Sequence, residues 1–334
     1  MLSDQVLYVV IPCYNEQEVL AETAARLKDK MNSLIGSHKI SVHSRVAFVN
    51  DGSKDDTWSL IEELHKSDPL FSGINLSRNR GHQNALLAGL MTVKECADVV
   101  ISMDADLQDD IDAMDEMIDK YLKGIDIVYG VRRDRTKDSF FKKVTAEGFY
   151  RLMNVMGANT VFNHADYRLM SRRALEGLAE FSEVNLFLRG IIPMIGYAND
   201  VVYYKRGERF AGESKYPFRK MLAFAIEGIT SLSTRPIKMI TGLGFMSFLV
   251  IIGILIYSIV RYYMGETITG WPTLMVSVWL IGGLILLSLG VVGEYVGKIY
   301  LEAKGRPRFI IESFINESKD TPNQNHREEK DKND

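Results

Sequence analysis

From Leu7 to about Tyr129 the chain alternates between short, β-branched apolar runs and helix-length amphipathic stretches, with polar turns between them. Five runs have the length and composition of strands: Leu7–Ile11, Arg45–Val49, Gly73–Leu76, Val99–Met103 and Ile125–Tyr129. Regular alternation of strand and helix predicts an α/β domain, a mostly parallel sheet with helices on its faces. Between Arg132 and Lys215 helical stretches mix with short strands at Tyr167–Met170 and Val201–Tyr204. This second stretch is expected to complete the same domain, which then covers residues 1–215.

The pattern changes after Lys215. Met221, Leu222, Ala225, Ile229 and Leu232 recur at helical spacing behind Arg219 and Lys220, which predicts an amphipathic helix lying in a membrane interface over residues 216–236. Two uncharged apolar runs follow, about 239–260 and 271–292, each close to the roughly 20 residues that cross a bilayer core. A soluble core helix seldom stays apolar on every face for that length, so residues 237–297 are expected to form a transmembrane hairpin. Arg235 and Lys238 precede the first span and Lys298, Lys304, Arg306 and Arg308 follow the second, whereas the loop between them holds only Arg261 and Glu266. Positive charge collects on the inner side, so a multi-pass plasma-membrane protein with its N-terminal domain and both termini in the cytoplasm is expected. Residues 298–334 form the cytoplasmic C-terminal segment, too polar from about Asn316 to order. Gly293 and Gly297 make a small-xxx-small pair, which suits either a homo-oligomer or packing against the first span.

Composition narrows the chemistry. A formal net charge of -3 argues against a nucleic-acid partner, which draws a basic excess. Cys13 and Cys96 stand apart, so they build neither a redox pair nor a zinc set, and a reducing compartment is expected. Met1 to Pro12 lacks the basic lead-in and cleavage site of a signal peptide. Open α/β sheets bind ligands beyond the carboxyl ends of their strands, and three of those ends are polar here.

The strongest signal is Met103-Asp104-Ala105-Asp106-Leu107-Gln108, directly after the fourth strand. Two carboxylates one residue apart at a strand end suit Mg²⁺ or Mn²⁺, and a metal there would screen a diphosphate and stabilise it as a leaving group. Asp109, Asp110 and Asp112 are better read as favouring the start of the next helix. Ile11-Pro12-Cys13-Tyr14-Asn15-Glu16 follows the first strand and Asn50-Asp51-Gly52-Ser53 the second, where they could meet the base and ribose of a nucleotide. Neither GxGxxG nor a P-loop occurs, so phosphates must be met by side chains and metal. Arg132, Arg168, Arg209 and Lys215 are candidates, although any one of them taken alone reads best as a solvated charge. His82 is read as a helix-start residue near the site.

Taken in order, these pieces resemble the family-2 glycosyltransferases of GT-A fold, in the branch of dolichol-phosphate mannose synthase and the bactoprenol (undecaprenyl-phosphate) glycosyltransferases. Ser77-Arg78-Asn79-Arg80-Gly81, Arg209-Phe210-Ala211-Gly212-Glu213-Ser214-Lys215-Tyr216 and Gly293-Glu294-Tyr295-Val296-Gly297-Lys298 also match, and the resemblance runs to about Glu312. It implies donor-nucleotide contacts at Pro12, Tyr14, Glu16, Val49, Asp51 and Ala105. It further implies metal and diphosphate work at Asp104, Asp106 and Gln108, with Arg132, Arg209 and Lys215 holding phosphates of donor or acceptor. Where many relatives continue Asp-Leu-Gln-Asp-Pro, this chain has Asp109-Asp110, which alters a helix start and removes no ligand.

The implied activity is inverting transfer of a hexose, glucose or N-acetylglucosamine foremost, from a nucleotide-diphosphate sugar to a polyprenyl phosphate. A UDP-sugar is favoured over a GDP-sugar. A phosphate acceptor is already ionised near neutral pH, which relaxes the need for a strong base. A processive polysaccharide synthase is disfavoured, because no Gln-x-x-Arg-Trp occurs among Trp58, Trp271 and Trp279. A non-catalytic scaffold is disfavoured by the intact acidic motif.

Overall fold

The computed structural model describes residues 4–132, 164–184, 187–205, 235–265 and 270–316. Four strand–helix pairs open the chain: β1 (Leu7–Cys13) with α1 (Leu20–Gly36), β2 (Arg45–Asn50) with α2 (Thr57–Ser67), β3 (Phe71–Leu76) with α3 (His82–Val93), and β4 (Val99–Ser102) with α4 (Ala113–Tyr121). There follow β5 (Ile127–Arg132), β6 (His164–Ser171), α5 (Arg172–Ala179), α6 (Leu188–Met194) and β7 (Asn199–Tyr204). Two long helices, α7 (Arg235–Tyr263) and α8 (Trp271–Lys304), and a last strand, β8 (Ile311–Ile315), end the described chain.

These strands form one sheet in the order β7-β5-β6-β4-β1-β2-β3-β8. β1 is parallel to β2 and β4, β2 to β3, and β5 to β7. β6 runs antiparallel between β4 and β5, and β8 antiparallel along β3. β1 is buried along its whole length, because alternate side chains meet different helices. Leu7, Val9, Ile11 and Cys13 join the core under α1, α2 and α4, while Tyr8 and Val10 join the core under α3, α5 and α6. Helix α1 buries Leu20, Thr23, Ala24, Leu27, Met31 and Leu34, one face of a 3.6-residue period. Each such aliphatic side chain contributes about 1.5–3 kcal/mol by leaving water.

The fifth strand begins two residues later than its apolar run suggests. Gly124 sits at φ +93 and its N–H donates to the Tyr121 carbonyl, while the Ile125 N–H donates to that of Lys120. Those bonds close the C-terminus of α4, so Ile125 belongs to a helix cap and pairing starts at Ile127.

β8 was not foreseen. Its five residues follow Arg306-Pro307-Arg308 and read as the flank of a span; they become a strand because β3 presents an open edge. Ile315 packs against Gly73 so closely that a Cβ on that glycine would lie 3.0 Å from its Cγ1 and 2.6 Å from Ile61 Cγ2.

Helices α7 and α8 are long and apolar enough to cross a membrane: mean hydropathy reaches 2.1 over Arg235–Ile254 and 1.8 over Ser277–Lys304, with none of either stretch buried against protein. That excludes a soluble core helix, whose apolar surface is covered by its own domain. α8 continues past Val292 as far as Lys304, where Gly305 in the left-handed conformation ends it. A Cβ built on Gly293 or Gly297 would meet nothing within 4 Å among the described residues, so α7 does not pack on that pair. The interfacial helix expected over 216–236 falls, up to residue 234, outside the described residues, as does the tail from 317.

Candidate active site

The polar ends of β1 and β2 are tied together by reciprocal hydrogen bonds. Asn15, in the left-handed region at φ +55, donates its N–H to Ser53 Oγ (3.0 Å), and its Oδ1 accepts the Lys54 N–H (2.9 Å). The Glu16 N–H donates to Thr57 Oγ1 at 2.9 Å. Tyr14 is left 41% exposed at the rim, where its ring is a surface on which a planar base can stack. Pro12 and Val49 pair with each other inside the sheet and are buried.

Asp51 is 2% exposed and carries the next loop: its carboxylate accepts the backbone N–H groups of Arg80 (2.6 Å) and Gly81 (2.9 Å). Burial raises its pKa, and these two N–H groups pull it back. Gly52 must be glycine, since it sits at φ +63 and a Cβ would lie 2.5 Å from the Asn79 nitrogen. The loop so held delivers His82 as the first residue of α3.

The acidic segment after β4 is anchored from three sides. Thr23 Oγ1 on α1 donates to the Ala105 carbonyl (2.8 Å), and Tyr167 Oη on β6 donates to that of Asp110 (3.0 Å). Asp109, with a side chain 1% exposed, accepts from Tyr204 Oη (2.5 Å) and Arg132 Nη2 (3.3 Å). Between these anchors Leu107 adopts φ +55, a conformation costing a non-glycine residue about 1–2 kcal/mol. The Asp106 carboxylate accepts the Gln108 N–H at 3.2 Å across this turn. Ala105 and Gln108 are buried, Asp104 and Asp106 only partly so.

Asp104 faces a cluster that the sequence reading did not anticipate. His82 Nε2 lies 3.5 Å from Asp104 Oδ1 and 3.6 Å from Asp166 Oδ2. Asp166 accepts from Arg168 Nη2 at 2.5 Å, and from Arg189 Nη2 and Nε at 3.0 and 3.3 Å. Burial opposes the charge on Asp166, yet His82, Arg189 and Arg168 hold its pKa well below the usual carboxylate range. Asp104 goes the other way, to about 6: burial raises it, His82 opposes, and Asp109, Asp166 and Asp106 add repulsion. Arg168, read from sequence as a surface charge, is 1% exposed, with Nε and Nη1 unpartnered among the described residues. In Asp166-Tyr167-Arg168 the two charges fall on one face of a strand whose other face is core, which was the available signal. Nothing in the sequence around Arg189 marks it.

Asp104 and Asp106 fit a hard divalent cation. They are oxygen donors crowded by further carboxylates; burial chiefly raises Asp104, and the repulsion from Asp109, Asp166 and Asp106 that adds to it is what a cation would relieve. Among the described residues no group of three His, Cys, Asp or Glu side chains is placed to hold a metal ion. Mg²⁺-type ions accept that arrangement, taking one or two carboxylates and completing their shell from phosphates and water. Arg132, expected to hold phosphate, is turned onto Asp109 and Tyr204, which more than offset the cost of burying its charge. Arg209 and Lys215 lie outside the described residues.

The family model for glycosyl transferase family 2 matches residues 8–178. The uncharacterized glycosyltransferase YkoT of Bacillus subtilis (strain 168) is 48% identical over 328 residues, 98% of this chain and 97% of that protein. The bactoprenol glucosyl transferase of Shigella phage SfX is 39% identical over 310 residues, 91% of this chain and 98% of that protein. With the acidic strand end, the joined β1 and β2 loops and the mixed GT-A sheet in place, the chain belongs to glycosyl transferase family 2.

Proposed function

We propose that this protein transfers a hexose from a nucleotide-diphosphate sugar to a polyprenyl phosphate, undecaprenyl phosphate in the first instance, with inversion at the anomeric carbon. The carboxylate pair Asp104 and Asp106 at the carboxyl edge of the sheet carries this reading. A diphosphate leaving group needs a divalent cation where such a pair stands. The relative named a bactoprenol glucosyl transferase and the two apolar helices support a lipid-linked acceptor, with glucose or N-acetylglucosamine as the sugar and UDP as the carrier.

In this reading Asp104 and Asp106, with Gln108 beside them, would hold Mg²⁺ or Mn²⁺, which would supply positive charge for a diphosphate leaving group. Tyr14 stacks on the base, Glu16 and Asp51 contact the nucleoside, and Pro12, Val49 and Ala105 shape the floor beneath it. Arg209 and Lys215 guide the acceptor phosphate. The protein's work is alignment and electrostatic stabilisation. The enzyme sits in the plasma membrane with its catalytic domain and both termini cytoplasmic, and its product is a lipid-linked sugar for cell-envelope glycosylation.

The test is to incubate membranes containing the protein with labelled UDP-glucose, UDP-N-acetylglucosamine or GDP-mannose and undecaprenyl phosphate, and to identify the labelled lipid. Chelation with EDTA and the Asp106→Asn variant are expected to reduce transfer by at least a hundredfold, the scale of a lost transition-state interaction worth about 2.7 kcal/mol. Transfer at the wild-type rate by Asp106→Asn would refute the metal assignment.

A further inference from the structure

We propose that Arg189, backed by the buried guanidinium of Arg168, seats the phosphate of the acceptor. The inference rests on the polyprenyl-phosphate reading above and names a part of the site which that reading leaves unassigned.

The first support is hydrogen-bonding capacity. The Asp166 carboxylate accepts from the guanidiniums of both Arg168 and Arg189. The Arg168 side chain is 1% exposed. Its Nε and Nη1 find no acceptor among the described residues, and a buried N–H without a partner is costly. A phosphate oxygen is the partner a planar guanidinium fork suits best. Arg189, 36% exposed, stands between Asp166 and solvent.

Position is the second support. His82 Nε2 reaches both Asp104 and Asp166 at 3.5 and 3.6 Å, so the arginine pair adjoins the end of the donor site where the diphosphate is expected. An acceptor oxygen seated there is within reach of the anomeric carbon. The third support is the route. The Val184 N–H donates to Glu302 Oε2 at 2.8 Å, and Arg308 Nη2 donates to the Phe181 carbonyl at 2.5 Å. The segment leading into α6, and hence to Arg189, is therefore fastened to the end of α8 and the residues just after it. A phosphate carried on a membrane lipid approaches from that side.

The experiment uses the full-length protein in detergent micelles, with undecaprenyl phosphate titrated at saturating donor for wild type, Arg189→Gln and Arg189→Lys. Arg189→Gln is expected to raise the acceptor KM at least tenfold while the donor KM moves less than twofold, with part of the loss recovered in Arg189→Lys. Inorganic phosphate should inhibit the wild type competitively against the acceptor and inhibit Arg189→Gln several times more weakly. An unchanged acceptor KM would overturn the proposal, as would an equal rise in both KM values or a change confined to the melting temperature. Should Arg189→Gln fail to fold, the Lys variant and the phosphate inhibition decide alone. If the wild type transfers sugar from every donor only to non-phosphate acceptors, the functional reading itself falls, an outcome distinct from a wild type that works with an acceptor KM indifferent to Arg189.

Discussion

Two residues separate holding the site's frame from touching its ligands. Gly52 sits at φ +63 with the Asn79 nitrogen 2.5 Å from where a Cβ would stand. Gly52→Ala is therefore expected to cost about 1–2 kcal/mol from the backbone alone and more from the clash. A lowered thermal midpoint together with weakened nucleotide binding would show it, because Asp51 and the Arg80–Gly81 loop move with it. Arg132 supplies a sharper test. Its guanidinium compensates the buried Asp109, and breaking a buried pair from one side costs about 3–5 kcal/mol. Arg132→Met should lose stability on that order, and the double variant with Asp109→Leu should regain most of it. If the double variant is stable yet keeps a raised donor KM, Arg132 also meets phosphate; if the donor KM returns with stability, its role is to position the acidic loop.

At the scale of elements, β8 makes the C-terminal segment part of the catalytic domain. It covers the β3 edge, packs Ile315 over Gly73, and sets Glu312 Oε2 3.0 Å from Asn75 Nδ2, whose own Oδ1 accepts from Asn50 Nδ2 at 2.7 Å. Truncation after Pro307 should leave an open edge, a template for intermolecular pairing. The expected outcome is loss of the monodisperse peak in size-exclusion chromatography and a lower melting temperature; an unchanged profile would show that the edge needs no cover. This strand also marks the limit of what the sequence makes legible. The alternation of apolar runs and amphipathic helices is periodic and local, so β1 to β4 and their helices are visible from it, and so is Asp104-Ala105-Asp106 at a strand end. β8 and the Asp166–Arg168–Arg189 cluster depend on partners distant in the chain. Asp166 comes beside His82 only because β6 inserts antiparallel next to β4, and no local pattern encodes that insertion.

For the whole molecule, the same strand constrains how the chain sits in a membrane. β8 follows α8 and pairs with β3 of the N-terminal domain, so the residues just after α8 lie on the same side as that domain. With α7 and α8 as the two candidate spans, that requires both to cross, or neither. Their apolar surfaces are uncovered by protein, and leaving both in water would expose far more than the few hundred Å² of contiguous apolar surface a soluble monomer carries. On this ground the proposal is that both cross, which would put the turn between them at Gly265 on the opposite face from Lys304. Labelling of single engineered cysteines in a Cys96→Ser background, where the remaining Cys13 is buried, tests this directly. In intact cells a membrane-impermeant maleimide should modify Gly265→Cys, and should reach Lys304→Cys only after permeabilisation. Equal labelling of the two before permeabilisation would mean that the helices do not form a crossing pair, and labelling of Lys304→Cys alone would place the catalytic domain outside. The positive charge at Lys298, Lys304, Arg306 and Arg308 favours the first result, because an enzyme drawing on a nucleotide sugar must present its donor site to the compartment that makes it.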